Sequence, residues 1–268
     1  MRLIKPPGKI VSGSIIFDQQ DILAKTREEL DKIRWKRISY IPQAAMNALD
    51  PVQNIGRQIV EALLAHEDYS RQDALLRASE LLSSVGLDSS RLRAYPHELS
   101  GGMRQRATIA MAIACNPDLA IADEPTTALD VVVQRQILQL LGQLRSKLDL
   151  SLILISHDLS VIAETCDRVC IMYAGEIVEN AAALTLFKKP LHPYTQGLIK
   201  AVPSVVGVKQ KLHWIPGFPP SLIDPAEACR FRDRCPYAQE ICSKERPKLR
   251  EVEPDHFVAC HFASDFLS

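Results

Sequence analysis

The stretch LAIADEPTTALD, residues 119 to 130, carries the reading of the fold. Leu119 to Ala122 form a short apolar run that fits a buried strand. The run ends abruptly in two adjacent carboxylates, Asp123 and Glu124, before Pro125. A second apolar run, Leu150 to Ile155, ends just before His157. Open parallel sheets take ligands at the carboxyl ends of their strands, so Asp123, Glu124 and His157 are expected along one edge. Two acids at such an edge suit a magnesium ion ordered by one carboxylate and a water positioned by the other, with two solvated loop acids and a structural histidine as the alternative reading of these residues alone.

Working outward, residues 10 to 17 (IVSGSIIF) and 37 to 42 (RISYIP) read as strands, with a charged helix over 26 to 34 between them. Helical spacing follows: Ile55, Ile59, Ala62 and Leu63 make one stripe and Leu75, Ala78, Leu82 and Val85 another. Residues 46 to 100 are thus expected to be a small helical subdomain. A helix from Gly101 to about Cys115 precedes the acid-ending strand, and Val133, Ile137, Leu140, Leu141, Leu144 and Leu148 mark the next one. A helix near 159 to 165 and strands near 168 to 173 and 176 to 179 complete the pattern. Strands alternating with helices predict an α/β domain with a mainly parallel sheet. Beyond residue 180 prolines recur from Pro190 to Pro254, which predicts an irregular extension. The expected segments are 1–45, 46–100, 101–180 and 181–268.

Composition narrows the function classes. The chain has 268 residues with 47% apolar content, enough for a sizeable core. Basic and acidic side chains number 32 each, so no global field draws it to nucleic acid or anionic lipid. The longest apolar run, Ala107 to Cys115, is far shorter than the ~20 residues of a membrane span. The N-terminus, MRLIKPPGK, carries charge and prolines where a signal peptide places apolar residues, which reads as cytosolic. Cys229, Cys235, Cys242 and Cys260 cluster late, a pattern that in a reducing compartment suggests metal more than disulfide. Their intervals of five, six and seventeen residues are not those of a zinc ribbon, so spacing alone leaves zinc, a cluster or free thiols open.

The third element is YPHELSGGMRQRATIAMA, residues 95 to 112. Two glycines inside a helix cost about 1 kcal/mol each relative to alanine. With Ser100 they offer amide hydrogens and a hydroxyl at the positive end of a helix dipole, an anion site. Ser100 as a plain N-cap is the alternative reading.

Together these stretches resemble the nucleotide-binding subunit of the ATP-binding cassette (ABC) family. LSGGM (99 to 103) resembles the signature motif, LAIADE (119 to 124) Walker B, and TALD (127 to 130) the D-loop with Asp130. His157 is similar to the switch histidine and Gln43, in YIPQ, to the Q-loop glutamine. The resemblance implies a P-loop NTPase-like fold using ATP and Mg²⁺. Asp123 would order magnesium with Gln43, Glu124 would act on the attacking water, and His157 would contact the γ-phosphate. Two such subunits would dimerise head to tail, so Ser100, Gly101 and Gly102 would cradle the γ-phosphate of ATP held mainly by the partner. Two transmembrane permease subunits and, indirectly, an extracytoplasmic solute-binding protein would complete the assembly at the cytoplasmic face of the membrane, with no nucleic acid.

Finer resemblance, in MNALDPVQNIGRQI (46 to 59), ADEPTTALDVVVQRQIL (122 to 138) and HPYTQGLI (192 to 199), is to ATPases of dipeptide, oligopeptide and nickel importers. It implies a four-iron four-sulfur cluster on Cys229, Cys235, Cys242 and Cys260. Asp50, where asparagine is usual, and Ala181, where glycine is common, depart from the pattern without touching nucleotide or metal. A phosphate-holding GxxxxGK[ST] is not found: the Gly8-Lys9 pair is followed by Ile10 and fails at both ends. Without the strand feeding that loop, on the order of 10 kcal/mol of burial would be lost, which points to a truncated reading frame. On this reading Asp123 and Glu124 have no nucleotide of their own, whereas Ser100 to Gly102 can still serve a partner in trans.

Overall fold

The structure, a computed structural model, describes residues 1–43, 48–201 and 214–267. Parts of the expected 1–45, 46–100 and 181–268 segments therefore lie outside the described residues. The chain divides into two compact units, Met1–His157 and Asp158–Ser268.

In the first unit three strands, β3 (Ile38–Ile41), β4 (Leu119–Asp123) and β5 (Ser151–Ile155), pair in parallel in that order. Tyr40 lies opposite Ile121 and Asp123 opposite Ile155. Alternation along each strand puts Ile41, Ala120, Ala122, Leu152 and Leu154 on one face. That face joins the largest core with helices α2 (Ile55–His66), α3 (Arg71–Ser84), α4 (Gly101–Ala112) and α5 (Val131–Leu148). The opposite face carries Ile38, Leu119 and Ile121 and packs on Ile22 and Leu30 from the hairpin β1 (Ile16–Phe17)/β2 (Gln20–Asp21) and helix α1 (Arg27–Ile33). At its carboxyl end this second face is open: Ile153 and Ile155 are exposed.

Helices α1 to α5 each start where a side chain caps them. Thr26 and Glu29 form a capping box on α1, and Asn54, Ser70, Ser100 and Asp130 accept amide bonds at α2, α3, α4 and α5. One expectation is corrected: the strand over residues 10 to 17 shrinks to Ile16–Phe17, with Ile10, Val11 and Ile15 exposed. Apolar β-branched residues do not make a strand without a neighbour to complete their ladder.

The second unit opens with α6 (Leu159–Thr165) and holds an antiparallel sheet of β6 (Arg168–Tyr173), β7 (Glu176–Ala182), β8 (Arg250–Glu253) and β9 (His256–Val258), ordered β6-β7-β9-β8. Helices α7 (Ala183–Lys188), α8 (Pro193–Ala201) and α9 (Glu240–Lys244) are all short. The extension beyond 180 is thus less irregular than its prolines predict, because β9 returns to pair with β7. Among the described residues no helix is long and apolar enough to cross a membrane.

Candidate functional site

The carboxyl ends of β3, β4 and β5 bring four of the expected side chains together. The chain leaves β4 through Glu124 with φ 45°, a left-handed conformation that disfavours L-residues by roughly 1–2 kcal/mol. The Glu124 amide donates to the Ile155 carbonyl at 2.9 Å, which anchors this bend on the end of β5. Strain held by a neighbouring strand is common at functional sites.

The bend aims the Glu124 carboxylate at three partners. Thr127 Oγ1 donates to Oε2 at 2.8 Å, Gln43 Nε2 donates to the same oxygen at 2.6 Å, and His157 Nδ1 lies 3.2 Å from Oε1. Hydrogen bonds from Thr127 and then His157 hold the carboxyl below its ordinary value, so Glu124 is a carboxylate at neutral pH. It is therefore an acceptor, the state a water-activating group needs. Asp123 stands beside it with Oδ2 accepting from the Tyr40 hydroxyl at 2.8 Å. Burial, and then this contact, raise the phenol above its ordinary value, so the hydroxyl remains a donor.

The donor set around Asp123 and Gln43, a carboxylate and an amide oxygen, fits magnesium, which takes one or two carboxylates and leaves positions for water and phosphate oxygens. Among the described residues no group of three or more histidine, cysteine, aspartate or glutamate side chains is arranged to hold a single ion.

The signature stretch is built on α4. Ser100 Oγ accepts from the Met103 amide at 3.3 Å, the capping role weighed from the sequence. A Cβ on Gly101 would meet Leu129 at an ordinary 3.4 Å, but one on Gly102 would lie 2.7 Å from Val133 Cγ1. Gly102 is thus required by the close approach of α4 to α5 as well as suited to bind an anion. Asp130 accepts from the Val133 amide at 3.0 Å, so its carboxylate caps α5.

Cys229, Cys235, Cys242 and Cys260 line one enclosed apolar pocket with His192, Phe231 and Tyr237. Burial raises the thiols of Cys229 and Cys235 and pushes that of Cys260 up to about 11, and each is raised further by the charge of its neighbours. The arginines between them are not solvated loop charges throughout. Arg230 pairs with Glu176 at 2.7 Å and donates to the Ala174 carbonyl, while Arg234 donates to the carbonyls of Pro216 at 2.8 Å and Ile215 at 3.2 Å. Arg230 thus ties the extension to the turn between β6 and β7, and Arg234 ties two parts of the extension together and also donates to the Tyr173 hydroxyl of β6 at 3.3 Å.

Two contacts were not legible in the sequence. Tyr40 reaches Asp123 only through the β3/β4 register, and Thr127 reaches Glu124 only because Glu124 bends the chain back.

Residues 1–127 match the family described as "ABC transporter" and residues 178–242 match "Oligopeptide/dipeptide transporter, C-terminal region". The chain is 47% identical over 272 residues to the probable peptide ABC transporter ATP-binding protein y4tR of Sinorhizobium fredii, covering all of this chain (100%) and 81% of that protein. It is 41% identical to the dipeptide transport ATP-binding protein DppD of Escherichia coli, over 99% of this chain and 82% of that one. Among solved structures it is similar to the dimeric ATP-binding cassette MJ0796 in a post-hydrolysis state bound to ADP and Pi, with a TM-score of 0.58 and 27% identity over 65% of this chain and 74% of that one. The acid-ending strand, the braced glutamate, the signature helix and these similarities agree: the chain belongs to the ABC transporter family, among its oligopeptide and dipeptide transport ATP-binding proteins.

Proposed function

We propose that this chain binds and hydrolyses ATP as the peripheral energising subunit of a peptide importer. It would pair with a second ABC ATPase subunit and dock two transmembrane permease subunits, with an extracytoplasmic solute-binding protein as indirect partner, at the cytoplasmic face of the membrane. The observation that carries the reading is the convergence of Gln43, Thr127 and His157 on one carboxylate, Glu124, beside Asp123. Magnesium held by Asp123, with Gln43 beside it, would neutralise charge on the transferring phosphoryl group. Glu124, kept ionised, accepts a proton from the attacking water. His157, 77% exposed at its side chain, is free to turn toward a phosphate oxygen. Ser100, Gly101 and Gly102 present the amino end of α4 to a phosphate held by the partner, and Asp130 fixes the start of α5 beside them.

In an assembled pair, Glu124→Gln is expected to lower hydrolysis by about 10²–10⁴-fold while leaving ATP binding intact. Unchanged hydrolysis removes Glu124 from the chemistry.

A second reading, that this chain lends only its signature motif in trans, is favoured by the lack of a GxxxxGK[ST] stretch in its 268 residues. On this reading Glu124→Gln is silent in the pair and Gly101→Asp is not.

We also assign the four-cysteine pocket to an iron-sulfur cluster. Four thiols line one enclosed apolar pocket, and four cysteine thiolates are the donor set such clusters use. Anaerobic reconstitution with iron and sulfide, read by visible absorption and lost in Cys242→Ser, tests this; zinc uptake with no iron spectrum contradicts it.

A further inference from the structure

The proposed function gives Asp123 a metal to order, but leaves open what holds its carboxylate in the orientation that task requires. The side chain stands at the end of a strand, and an Asp there can turn about two torsions. A carboxylate that must present one oxygen to a metal gains from a partner on the other.

Tyr40 occupies the position from which this can be done. In β3 the neighbours Ser39 and Ile41 are buried and turned to the α4/α5 side, whereas Tyr40 is 36% exposed on the opposite face. The parallel register sets Tyr40 against Ile121. Two residues on, on the same face, is Asp123, the diagonal neighbour that a long aromatic side chain can reach. The hydroxyl meets Oδ2 at 2.8 Å. Ile121, Ile153 and Ile155 share this face. The arrangement repeats that of the neighbouring acid, since Glu124 also receives a hydroxyl, from Thr127 at 2.8 Å. A partly exposed hydrogen bond adds little to folding, so its consequence lies in orientation more than in stability.

We infer that Tyr40 is a positioning residue for the metal site: its hydroxyl holds Oδ2 of Asp123 and leaves Oδ1 for a divalent cation. This rests on the reading of Asp123 as the metal-ordering group, and the test separates the two. Mn²⁺ serves as the probe, with free ion followed by electron paramagnetic resonance in titrations of the full chain. The variants are Asp123→Asn, which removes the ligand, and Tyr40→Phe, which keeps the ring and its packing and deletes only the hydroxyl.

The expected result is Mn²⁺ binding by the wild type, loss in Asp123→Asn, and about 10–100-fold weaker binding in Tyr40→Phe at unchanged thermal stability. Mn²⁺ should also perturb the ultraviolet difference spectrum of a tyrosine in the wild type, a signal absent from Tyr40→Phe. Metal affinity in Tyr40→Phe within about twofold of wild type, where second-sphere loss predicts far more, overturns the inference while leaving Asp123 in place. Equal binding by wild type and Asp123→Asn, or no binding by the wild type, overturns the reading of Asp123 and the inference with it.

Discussion

A Cβ added to Gly102 would sit 2.7 Å from Val133 Cγ1, inside any contact real side chains make, so Gly102→Ala must displace a β-branched neighbour on α5. Overpacking of this kind costs about 1–3 kcal/mol, against which better helix propensity returns up to about 1 kcal/mol. Urea denaturation should therefore show Gly102→Ala destabilised and Gly101→Ala, with its nearest contact at 3.4 Å, neutral or slightly stabilised. Adding Val133→Ala to Gly102→Ala should relieve part of the loss; a purely additive pair would place the strain elsewhere. At this scale the site was half legible. Asp123, Glu124, Gln43 and His157 are legible through the ordered set of motifs that resembles the family, since alone an acid pair after an apolar run is more often solvated and a lone histidine more often structural. Tyr40 and Thr127 do not, because a hydroxyl near an acid is visible only once register and bend are known. Gly102 was legible as a site requiring bare backbone, but its packing reason needed α5.

The extension is held by a buried constellation. Glu179, wholly buried on β7, accepts from the Leu191 amide at 2.7 Å and the His192 amide at 3.1 Å, and lies 2.8 Å from His256 Nε2 on β9. One carboxylate thus joins β7, the start of α8 and β9. Glu179→Ala leaves two buried amides and an imidazole without a partner and is expected to cost about 3–5 kcal/mol, with Glu179→Gln costing less. Loss below about 1 kcal/mol on denaturation, the range of an exposed pair, would contradict this.

His192 adds a pH dependence to the same element. Its Nδ1 accepts from the Tyr194 amide at 3.0 Å, and burial lowers its pKa from near 6.5 to about 4. As pH falls from above 6.5 to 4 the unfolded chain takes up a proton that the folded one refuses. Stability is thus fully retained above the unfolded value and declines below it, by about 3 kcal/mol in all. His192→Asn keeps an acceptor for the Tyr194 amide and cannot titrate. Its denaturation midpoint should fall less steeply than that of the wild type over this range, whatever its starting level; equal slopes would contradict the assignment. The prolines here were read as breaking structure. Pro193 instead opens α8, where its fixed φ and missing amide hydrogen cost nothing. The short strands β8 (REVE) and β9 (HFV) escape sequence reading because neither has the length or the apolar alternation to declare itself without β7.

For the molecule as a whole, the alternation of strands and helices was legible, since apolar runs separated by amphipathic stretches leave few alternatives. The limited extent of the parallel sheet was not. Its three strands were expected, but the later strands form a separate antiparallel sheet, a pairing that no local pattern encodes.

Beyond the single chain, α4 is proposed to complete a nucleotide site on a second ATPase subunit. The most direct test is ATP hydrolysis by a phosphate-loop-bearing partner ATPase, mixed with this chain or with its Gly101→Asp variant. An aspartate there has room beside Leu129 and suits a helix amino end, so the variant should fold while its charge repels phosphate. The wild-type chain is expected to raise the partner's hydrolysis and Gly101→Asp to leave it unchanged; equal stimulation by both would place the partner's phosphate contact elsewhere than α4.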